Sequence, residues 1–259
     1  MTPVALTIAG SDPSGGAGIQ ADLKTFHQFG VYGEAVITLV TVQNTRRVER
    51  VECLAPSLVR DQIRAVIEDI PPGAAKLGAL GNAGIMEAVA ELAAGFAFPL
   101  VIDPVMVSTQ GALLVSEDAR QLFRSRLIPG AFLVTPNLAE AEALTGAEVR
   151  SLQDMRRAAE VILGMGARAV LVKGGHLASS ATDVLLAEGS WHEFPAPHLE
   201  TPHTHGSGCT YSAAITAELA KGTPLIEAVG RAKRYITEAI RTNPGLGSGS
   251  GPLNHHARI

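Results

Sequence analysis

Short apolar segments rich in valine, isoleucine and leucine recur along this chain, and each is followed by a segment with helical spacing. The apolar segments are 4–10, 35–40, 74–78, 99–105, 131–137 and 169–175. The helical patterns cover 17–29, 57–69, 83–94, 116–125, 138–145 and 151–165. Strands that are apolar on both faces are typical of a parallel sheet with helices on both sides. The alternation therefore predicts an α/β fold with a doubly wound, mostly parallel sheet.

The pattern changes after residue 183. The segments "DVLLAEG" and "SWHEFPAP" predict an antiparallel hairpin with its turn at Glu188, Gly189 and Ser190. Two further helices are predicted at about 207–221 and 224–241. Because no linker, low-complexity block or repeat divides the 259 residues, we expect one domain over 1–259.

Composition narrows the class of partner. Hydrophobic residues make up 46% of the chain and charged residues 18%, which is typical of a globular protein. A net charge of −4 and only 4% aromatic residues argue against nucleic acid as a partner. No apolar stretch is long enough to predict a membrane span, and the first residues do not resemble a signal peptide. Two cysteines, Cys53 and Cys209, give no disulfide framework, so we expect a cytoplasmic protein.

Four polar motifs follow predicted strands, namely "GSDPSGGAG", "DPV", "TPNLAE" and "KGG". Ligands of open α/β sheets bind at the carboxyl ends of the strands, so the motifs are expected to converge on one site. The first motif can present backbone N–H groups to an anion or a flat ligand, and a tight strand-to-helix turn is the less favoured explanation of its glycines. It lacks the lysine of a Walker A loop and the spacing of a dinucleotide fingerprint. Asp12 and Asp22 are its informative residues.

The other strand-end motifs each admit two interpretations. Asn137 and Glu140 have the spacing of a helix capping box, or Glu140 holds Mg²⁺ through water together with Asp103. Lys173 is either an edge residue whose amine reaches solvent or a charge directed at phosphates.

The segment "HGSGCTYSAA", residues 205–214, places two glycines and a cysteine at the start of a predicted helix. Gly206, Ser207, Gly208 and Cys209 would form an anion hole suited to a transferring phosphoryl group. A helix N-terminus is expected to lower the pKa of the Cys209 thiol. Three alternatives are an inert buried thiol, a cysteine hydrolase, and a zinc site. The zinc site would use Cys209 with His198, His203 and His205, a spacing that matches no standard set.

Seven stretches occur together and in order: "LTIAGSDPSGGAGIQADLKTF", "TVQNT", "VIDPVM", "TPNLAEAEAL", "VLVKGGH", "HGSGCTYSAAITAELAKG" and "GLGSGSGPLNH". Together they closely resemble the bacterial hydroxymethylpyrimidine kinase/phosphomethylpyrimidine kinase family of thiamin biosynthesis, in the ribokinase-like superfamily. The resemblance implies a three-layer α/β/α domain in which ATP and a pyrimidine meet along the carboxyl edge of the sheet. It also implies two successive phosphorylations, of 4-amino-5-hydroxymethyl-2-methylpyrimidine and then of its monophosphate.

The same resemblance assigns a substrate side to the site. Gln43 matches the pyrimidine-binding glutamine, and an amide suits a ring that carries an amino group and ring nitrogens. At the position of Ala79 the family more often has a larger residue such as Met. The other residues expected to contact the substrate are Gly10, Ala17, Asp22, Thr41 and Val105.

The resemblance also implies a nucleotide side. Asp103 and Glu140 match the acids on the Mg²⁺ side, and Lys173 matches the phosphate-side lysine. Asn137, Gly206 and Gly208 are expected near the nucleotide, and Gly206 to Cys209 match the anion hole. Many ribokinase-like enzymes carry Asp as the general base where this chain has Cys209, which is therefore expected to act as a working thiol.

Two alternative functions follow. A pyridoxal kinase of the same superfamily is one, because pyridoxal also presents a hydroxymethyl group on a flat ring. Such relatives often have a second cysteine on a lid, whereas segment 107–114 has none and Cys53 lies elsewhere in the sequence. A non-catalytic binder is disfavoured, since the polar site residues are all present. Relatives are often dimers, so a homodimer is expected by analogy.

Overall fold

Nine strands pair into one sheet in the computed structural model, which describes residues 2–106, 117–175 and 181–258. In chain order the strands are β1 (Val4–Ser11), β2 (Tyr32–Gln43), β3 (Val48–Cys53), β4 (Ala74–Leu77), β5 (Leu100–Ile102), β6 (Leu133–Val134), β7 (Ala169–Val172), β8 (Asp183–Ala187) and β9 (Ser190–Phe194). Their order across the sheet is β3-β2-β1-β4-β5-β6-β7-β8-β9. The six strands from β2 to β7 in this order are parallel, and β3, β8 and β9 are antiparallel to their neighbours.

Helices cover both faces of the sheet. They are α1 (Gly18–Gln28), α2 (Pro56–Asp69), α3 (Ala83–Ala93), α4 (Glu117–Leu122), α5 (Leu138–Thr145), α6 (Leu152–Gly164), α7 (Ser207–Ala220) and α8 (Leu225–Arg241). Helices α1, α7 and α8 contact one another on one face, and α2 to α6 pack on the other. The predicted three-layer α/β/α arrangement is confirmed.

The central strands are buried on both faces, which explains why their sequences are continuously apolar. Ile102 and Val134 are fully buried in the core beneath α2 to α6. Their chain neighbours Val101 and Leu133 are fully buried in a second core beneath α7 and α8. Because successive side chains of a strand point to opposite faces, a sheet covered twice needs apolar residues at every position.

The edges of the sheet depart from the prediction. Strand β3 was not among the strands predicted for the sheet, although the stretch around Cys53 is strand-like, because its residues alternate with Arg and Glu and are largely exposed at the sheet edge. The predicted hairpin is present as β8 and β9, and Glu188 and Gly189 form its turn with φ of 51° and 71°. Segment 107–114 and the first residue of the helix predicted over 116–125 lie outside the described residues. No helix in the described part of the chain combines the length and hydropathy that crossing a membrane requires.

Candidate active site

A cavity of about 740 Å³ lies at the carboxyl ends of the parallel strands. The hairpin of β2 and β3 borders one side, and the first turn of α7 borders another. This size is in the range of pockets that bind small molecules and cofactors. Most of the predicted site residues line it: Gly10, Ala17, Thr41, Gln43, Ala79, Asp103, Val105, Asn137, Glu140, Lys173, Gly206, Ser207, Gly208 and Cys209.

Asp22 was expected to contact the substrate, and the structure corrects this expectation. Its side chain is completely buried behind the cavity, on the face of α1 that packs against the sheet. Lys76 donates to its two carboxylate oxygens at 2.9 and 2.8 Å, and Thr7 donates to it at 2.6 Å. Thr7 and Lys76 are register partners on β1 and β4, so the cluster is built into the sheet. Asp22 therefore supports the cavity from behind.

Lys76 is a residue that sequence reasoning missed. Burial lowers the pKa of its amine, and the Asp22 carboxylate more than offsets this effect, so that the pKa of Lys76 is raised. Burial also raises the pKa of the Asp22 carboxyl group, against the opposing charge and hydrogen bond of Lys76. The charge of Lys76 also acts on Cys209 and Asp103. A single lysine inside an otherwise apolar strand was the available signal, because a lysine in such a position requires a buried carboxylate.

Asp103 and Lys173 form a second acid–lysine pair that opens into the cavity. Lys173 Nζ donates to Asp103 Oδ1 at 2.8 Å. Thr135 and Ser212 donate to the two carboxylate oxygens of Asp103, each at 3.3 Å. Burial raises the pKa of Asp103, but the ammonium groups of Lys173 and Lys76 and the hydrogen bonds from Lys173 and Ser212 outweigh burial and hold the pKa below its usual range. The sequence left two interpretations of Lys173 open, and its position facing Asp103 favours a charge held at the site.

Asn137 and Glu140 form the predicted capping box at the start of α5. The Glu140 N–H donates to Asn137 Oδ1 at 2.9 Å, and the Asn137 N–H donates to Glu140 Oε2 at 2.8 Å. Glu140 also lines the cavity. Burial, together with the nearby Asp103 carboxylate, raises the pKa of Glu140 to about 8 despite the opposing charge of Lys173. The capping interpretation is correct, and the same carboxylate faces a second acid across the cavity.

The first turn of α7 carries the expected anion hole, with one correction. Gly206 has a φ of 78°, and a Cβ there would overlap the carbonyl oxygen of Gly16. The N–H of Ser207 donates to the carbonyl of Thr204 at 3.1 Å, so this donor is engaged within the turn. The N–H groups of Gly208 and Cys209 lie in the first helical turn, where the helix itself supplies no acceptor. These two residues are therefore the main donors toward the cavity.

Cys209 lies at the cavity wall, but its predicted ionisation is wrong. Burial raises the pKa of its thiol to about 11, and the carboxylates of Asp103 and Asp22 add to this effect. The ammonium of Lys76 and a hydrogen bond from the Gly18 N–H oppose it and are too weak to reverse it. The thiol is therefore neutral near pH 7, although it lies at a helix N-terminus.

The zinc alternative does not match the structure. Within residues 2–106, 117–175 and 181–258, no three His, Cys, Asp or Glu side chains lie close enough to hold a metal ion together. The ring of His205 instead contacts Asp12, at 2.8 Å.

Cys53 lies nearer to the site than the sequence indicated. It is an exposed free thiol at the end of β3, and it lines the same cavity as Cys209. A Cβ at Gly81 would stand 2.6 Å from its sulfur, so the loop after β4 approaches it closely. The cavity is therefore bordered by both cysteines of the chain.

Comparisons with known proteins agree with this geometry. Residues 12–254 match the model of the family described as phosphomethylpyrimidine kinase. A hydroxymethylpyrimidine/phosphomethylpyrimidine kinase of Streptomyces coelicolor is 47% identical over 253 residues, which cover 98% of this chain and 94% of that relative. A thiamine biosynthesis bifunctional protein of Geobacter sulfurreducens is 48% identical over 252 residues, or 96% of this chain, which spans only 51% of that longer relative.

A solved structure shows the same fold. The ADP complex of Bacillus subtilis pyridoxal kinase superposes with a TM-score of 0.91 and 39% sequence identity, covering 99% of this chain and 98% of that one. The three-layer fold of the ribokinase-like kinases is thus shared over essentially the whole sequence. The chain belongs to the phosphomethylpyrimidine kinase family, and the resemblance drawn from its motifs is confirmed.

Proposed function

We propose that this chain uses ATP to phosphorylate the hydroxymethyl group of 4-amino-5-hydroxymethyl-2-methylpyrimidine, and then phosphorylates the monophosphate to the diphosphate. Membership of a kinase family makes the chain a phosphotransferase that uses ATP. The observation that carries the proposal is that a single cavity is lined by Gln43, expected to bind the pyrimidine, and by Lys173 and the first turn of α7, expected to bind the phosphates. A continuous sheet from Val4 to Phe194 supports one kinase domain over 1–259.

The pyrimidine would lie between the hairpin of β2 and β3 and the glycine-rich loop after β1. Gln43 supplies an amide that can both donate and accept, which suits an aminopyrimidine. Thr41 donates its hydroxyl to the Ser11 carbonyl at 3.0 Å, which holds this wall of the cavity against β1. A Cβ at Gly10 would stand 2.5 Å from Leu39, so a side chain there would displace the wall.

The phosphates would lie toward Lys173 and α7. Lys173 presents a positive charge fixed by Asp103, and the N–H groups of Gly208 and Cys209 add donors that need no rearrangement. A Cβ at Gly208 would stand 3.1 Å from Lys173 Nζ, so the glycine leaves room for the lysine and a phosphate to approach.

Asp103 and Glu140 fit a Mg²⁺ ion as a pair of carboxylates at the phosphate end of the cavity. The raised pKa of Glu140 fits an added cation, because two acids there face one lysine. Two carboxylates without a third protein ligand suit Mg²⁺, which usually keeps waters and binds ATP phosphates as well. When bound, the ion would supply positive charge to the transferring phosphoryl group and offset the Asp103 charge that raises the Cys209 pKa.

The two steps place different demands on Cys209. In the first step the alcohol must lose its proton, and in a largely dissociative transfer this loss comes late. We assign this proton to the thiolate of Cys209: the thiol would first release its own proton to solvent, and a cation bound beside Asp103 would lower the thiol pKa and favour that release. In the second step the acceptor is a phosphate that is already ionised, so no base is required. We therefore infer that Cys209 serves the first step more than the second.

The test is ATP-dependent phosphorylation of hydroxymethylpyrimidine, with and without Mg²⁺, in which monophosphate and diphosphate are followed separately. Sequential formation of both products, dependent on Mg²⁺, is expected. Monophosphate alone would limit the chain to the first step, and the absence of any product would refute the proposed substrate.

Pyridoxal is a second candidate substrate. It is favoured by the close superposition on a pyridoxal kinase and by the position of Cys53, which borders the cavity despite its distance in sequence from segment 107–114. Parallel assays with pyridoxal and the pyrimidine alcohol distinguish the two, and we expect the larger kcat/KM for the pyrimidine. The homodimer and the cytoplasmic location stay predictions from the sequence.

A further inference from the structure

Asp12 ties the glycine-rich loop after β1 together, and it is almost completely buried. Its Oδ1 accepts from the Ser14 N–H at 2.8 Å. Its Oδ2 accepts from the N–H groups of Ala17 and Gly16 at 2.9 and 3.2 Å. The ring Nε2 of His205 lies 2.8 Å from the same Oδ2. One carboxylate thus organises the loop and also contacts the residue that precedes the anion hole.

The charge of Asp12 fixes the direction of the bond to His205. Burial alone would raise the pKa of this carboxyl group, but hydrogen bonds from His205 and Ser14 hold it at about 2. Asp12 is therefore a carboxylate at neutral pH and can only accept hydrogen bonds. The proton between the two side chains consequently belongs to Nε2 of His205, which donates it.

His205, held by Asp12, also contacts the C-terminal segment and the glycine-rich loop. Its backbone N–H donates to the Gly251 carbonyl at 3.1 Å, which joins it to the C-terminal segment. A Cβ at Gly16 would stand 2.6 Å from the His205 ring, and the next residue, Gly206, packs directly against the Gly16 backbone. Any displacement of the loop therefore moves the start of α7 as well.

The loop reaches the reacting groups at its end. Ala17, held by Asp12, lines the cavity where we place the pyrimidine. The next residue, Gly18, lines the same cavity, and its N–H acts on the Cys209 thiol to lower the thiol pKa. The spacing between the loop and α7 hence sets the distance between the Ala17–Gly18 wall of the pocket and the first turn of α7 that carries Cys209.

We propose that Asp12 and His205 are a pair of positioning residues that hold the Ala17–Gly18 wall at its working distance from Gly208 and Cys209. The inference rests on the proposed function, because it assigns the pair a role in the first phosphorylation. Displacement of a reacting group by about 1 Å can cost about 100-fold in rate, so the loss of either side chain is expected to be large.

The test compares Asp12→Ala and His205→Ala with the unchanged chain and measures both phosphorylation steps on each preparation. We expect kcat of the alcohol step to fall by about 10- to 100-fold, on the scale expected for misplaced reacting groups. The monophosphate step should fall several-fold less. The KM for ATP should change less than this kcat, because Lys173 and Asn137, unlike Gly208 and Cys209, are held by contacts that do not involve the pair. The ratio of the two rates is independent of the fraction of folded enzyme.

Conservative and double variants sharpen the test. Asp12→Asn and His205→Gln keep part of the hydrogen bonding and should retain more of the alcohol step than the alanine variants. Asp12→Ala/His205→Ala should lose little more than Asp12→Ala alone, because the two residues act together. Asp154→Ala is the matched control: Asp154 makes similar bonds to Ser151 at the exposed start of α6, and its loss should leave the ratio unchanged.

Hydrogen exchange supplies a readout that needs no substrate. Asp12→Ala should accelerate amide exchange in both 13–18 and 204–209, and Asp154→Ala in neither. Equal losses in the two steps, or faster exchange in 13–18 alone, would overturn the positioning role. If the unchanged chain forms neither product, the proposed function fails, and the exchange result still decides whether the pair couples the loop to α7.

Discussion

Two acid–lysine pairs lie close together at this site with nearly the same bond lengths, and both are largely buried, but only one of them lines the cavity. Lys76 and Asp22 are 2.8 Å apart, and both side chains are completely buried. Lys173 and Asp103 are also 2.8 Å apart, but both line the cavity. The distance between the lysine and the acid therefore does not distinguish the roles of the two pairs. What distinguishes them is whether the pair lines the cavity where a ligand can reach it.

In our proposal the fold depends on the completely buried pair remaining intact, and the cavity pair takes part in phosphoryl transfer. Taking two charges out of water costs several kcal/mol per ion, so Lys76 and Asp22 are tolerable only together. Lys173 can exchange part of its contact with Asp103 for a phosphate, because the cavity gives access to both. The comparison predicts that removing Lys76 will mainly lower the free energy of unfolding and that removing Lys173 will mainly lower kcat.

Lys76→Met should give the largest effect, on stability. It leaves the Asp22 carboxylate buried without its cation, which is expected to lower the free energy of unfolding by about 3–5 kcal/mol. Urea denaturation measures this loss. Lys76→Met/Asp22→Leu should recover much of it, because no buried charge is left unpaired. If the double variant were as unstable as the single one, the pair would not be the cause.

Lys173→Met should mainly change the rate. Loss of a charge aimed at the transferring phosphoryl group is expected to lower kcat by about 10²- to 10³-fold, as for other preorganised donors. The free energy of unfolding should fall by only about 1–2 kcal/mol, because Asp103 keeps two hydroxyl donors. Steady-state kinetics and urea denaturation on the same protein check both values. A stability loss as large as that of Lys76→Met would erase the distinction between the pairs.

Glu34 is a buried acid with no lysine partner, and it should give the smallest effect. Its Oε2 has no hydrogen-bond partner among the described residues. Burial, with a contribution from Asp69, raises its pKa to about 7. Because the folded-state pKa is raised, the free energy of unfolding contributed by Glu34 falls as pH rises from about 4.5 to about 7 and is constant above that.

Glu34→Gln should therefore stabilise the chain at pH 8 by about 1–2 kcal/mol and have almost no effect at pH 4. Urea denaturation at the two pH values measures the difference. Glu52→Gln, at an exposed position of β3, is the control and should show no such pH dependence. A Glu34→Gln variant with equal effects at both pH values would contradict the raised pKa.

The sequence predicted the parallel centre of the sheet better than the edge strands of the sheet and the pKa values of the site residues. Continuous apolar strands report that both faces of the sheet are covered, which is why the parallel centre was predictable. Strand β3 was not, because an exposed edge strand needs no apolar pattern. Whether Asp22 faces the cavity or the sheet depends on which face of α1 packs against the sheet. The glycine-rich sequence before α1 does not indicate that face.

The pKa of Cys209 could not be predicted from its local sequence. A helix N-terminus lowers a thiol pKa, but Cys209 also lies among Asp22, Lys76 and Asp103, which come from three other elements. Burial and the two carboxylates raise the thiol pKa by more than Lys76 lowers it. The sequence located the residues that line the cavity, and only the fold could show how their charges add up.

The central claim is that Cys209 acts on the alcohol and is dispensable for the monophosphate. The most direct measurement compares kcat of both steps for Cys209→Ala and Cys209→Asp with the unchanged chain. We predict that Cys209→Ala lowers the alcohol step by about 10²-fold or more and the monophosphate step by less than about tenfold, as expected for loss of a general base in one step only. Cys209→Asp, which restores a base, should recover part of the alcohol step. Equal losses in both steps for Cys209→Ala would contradict the assignment.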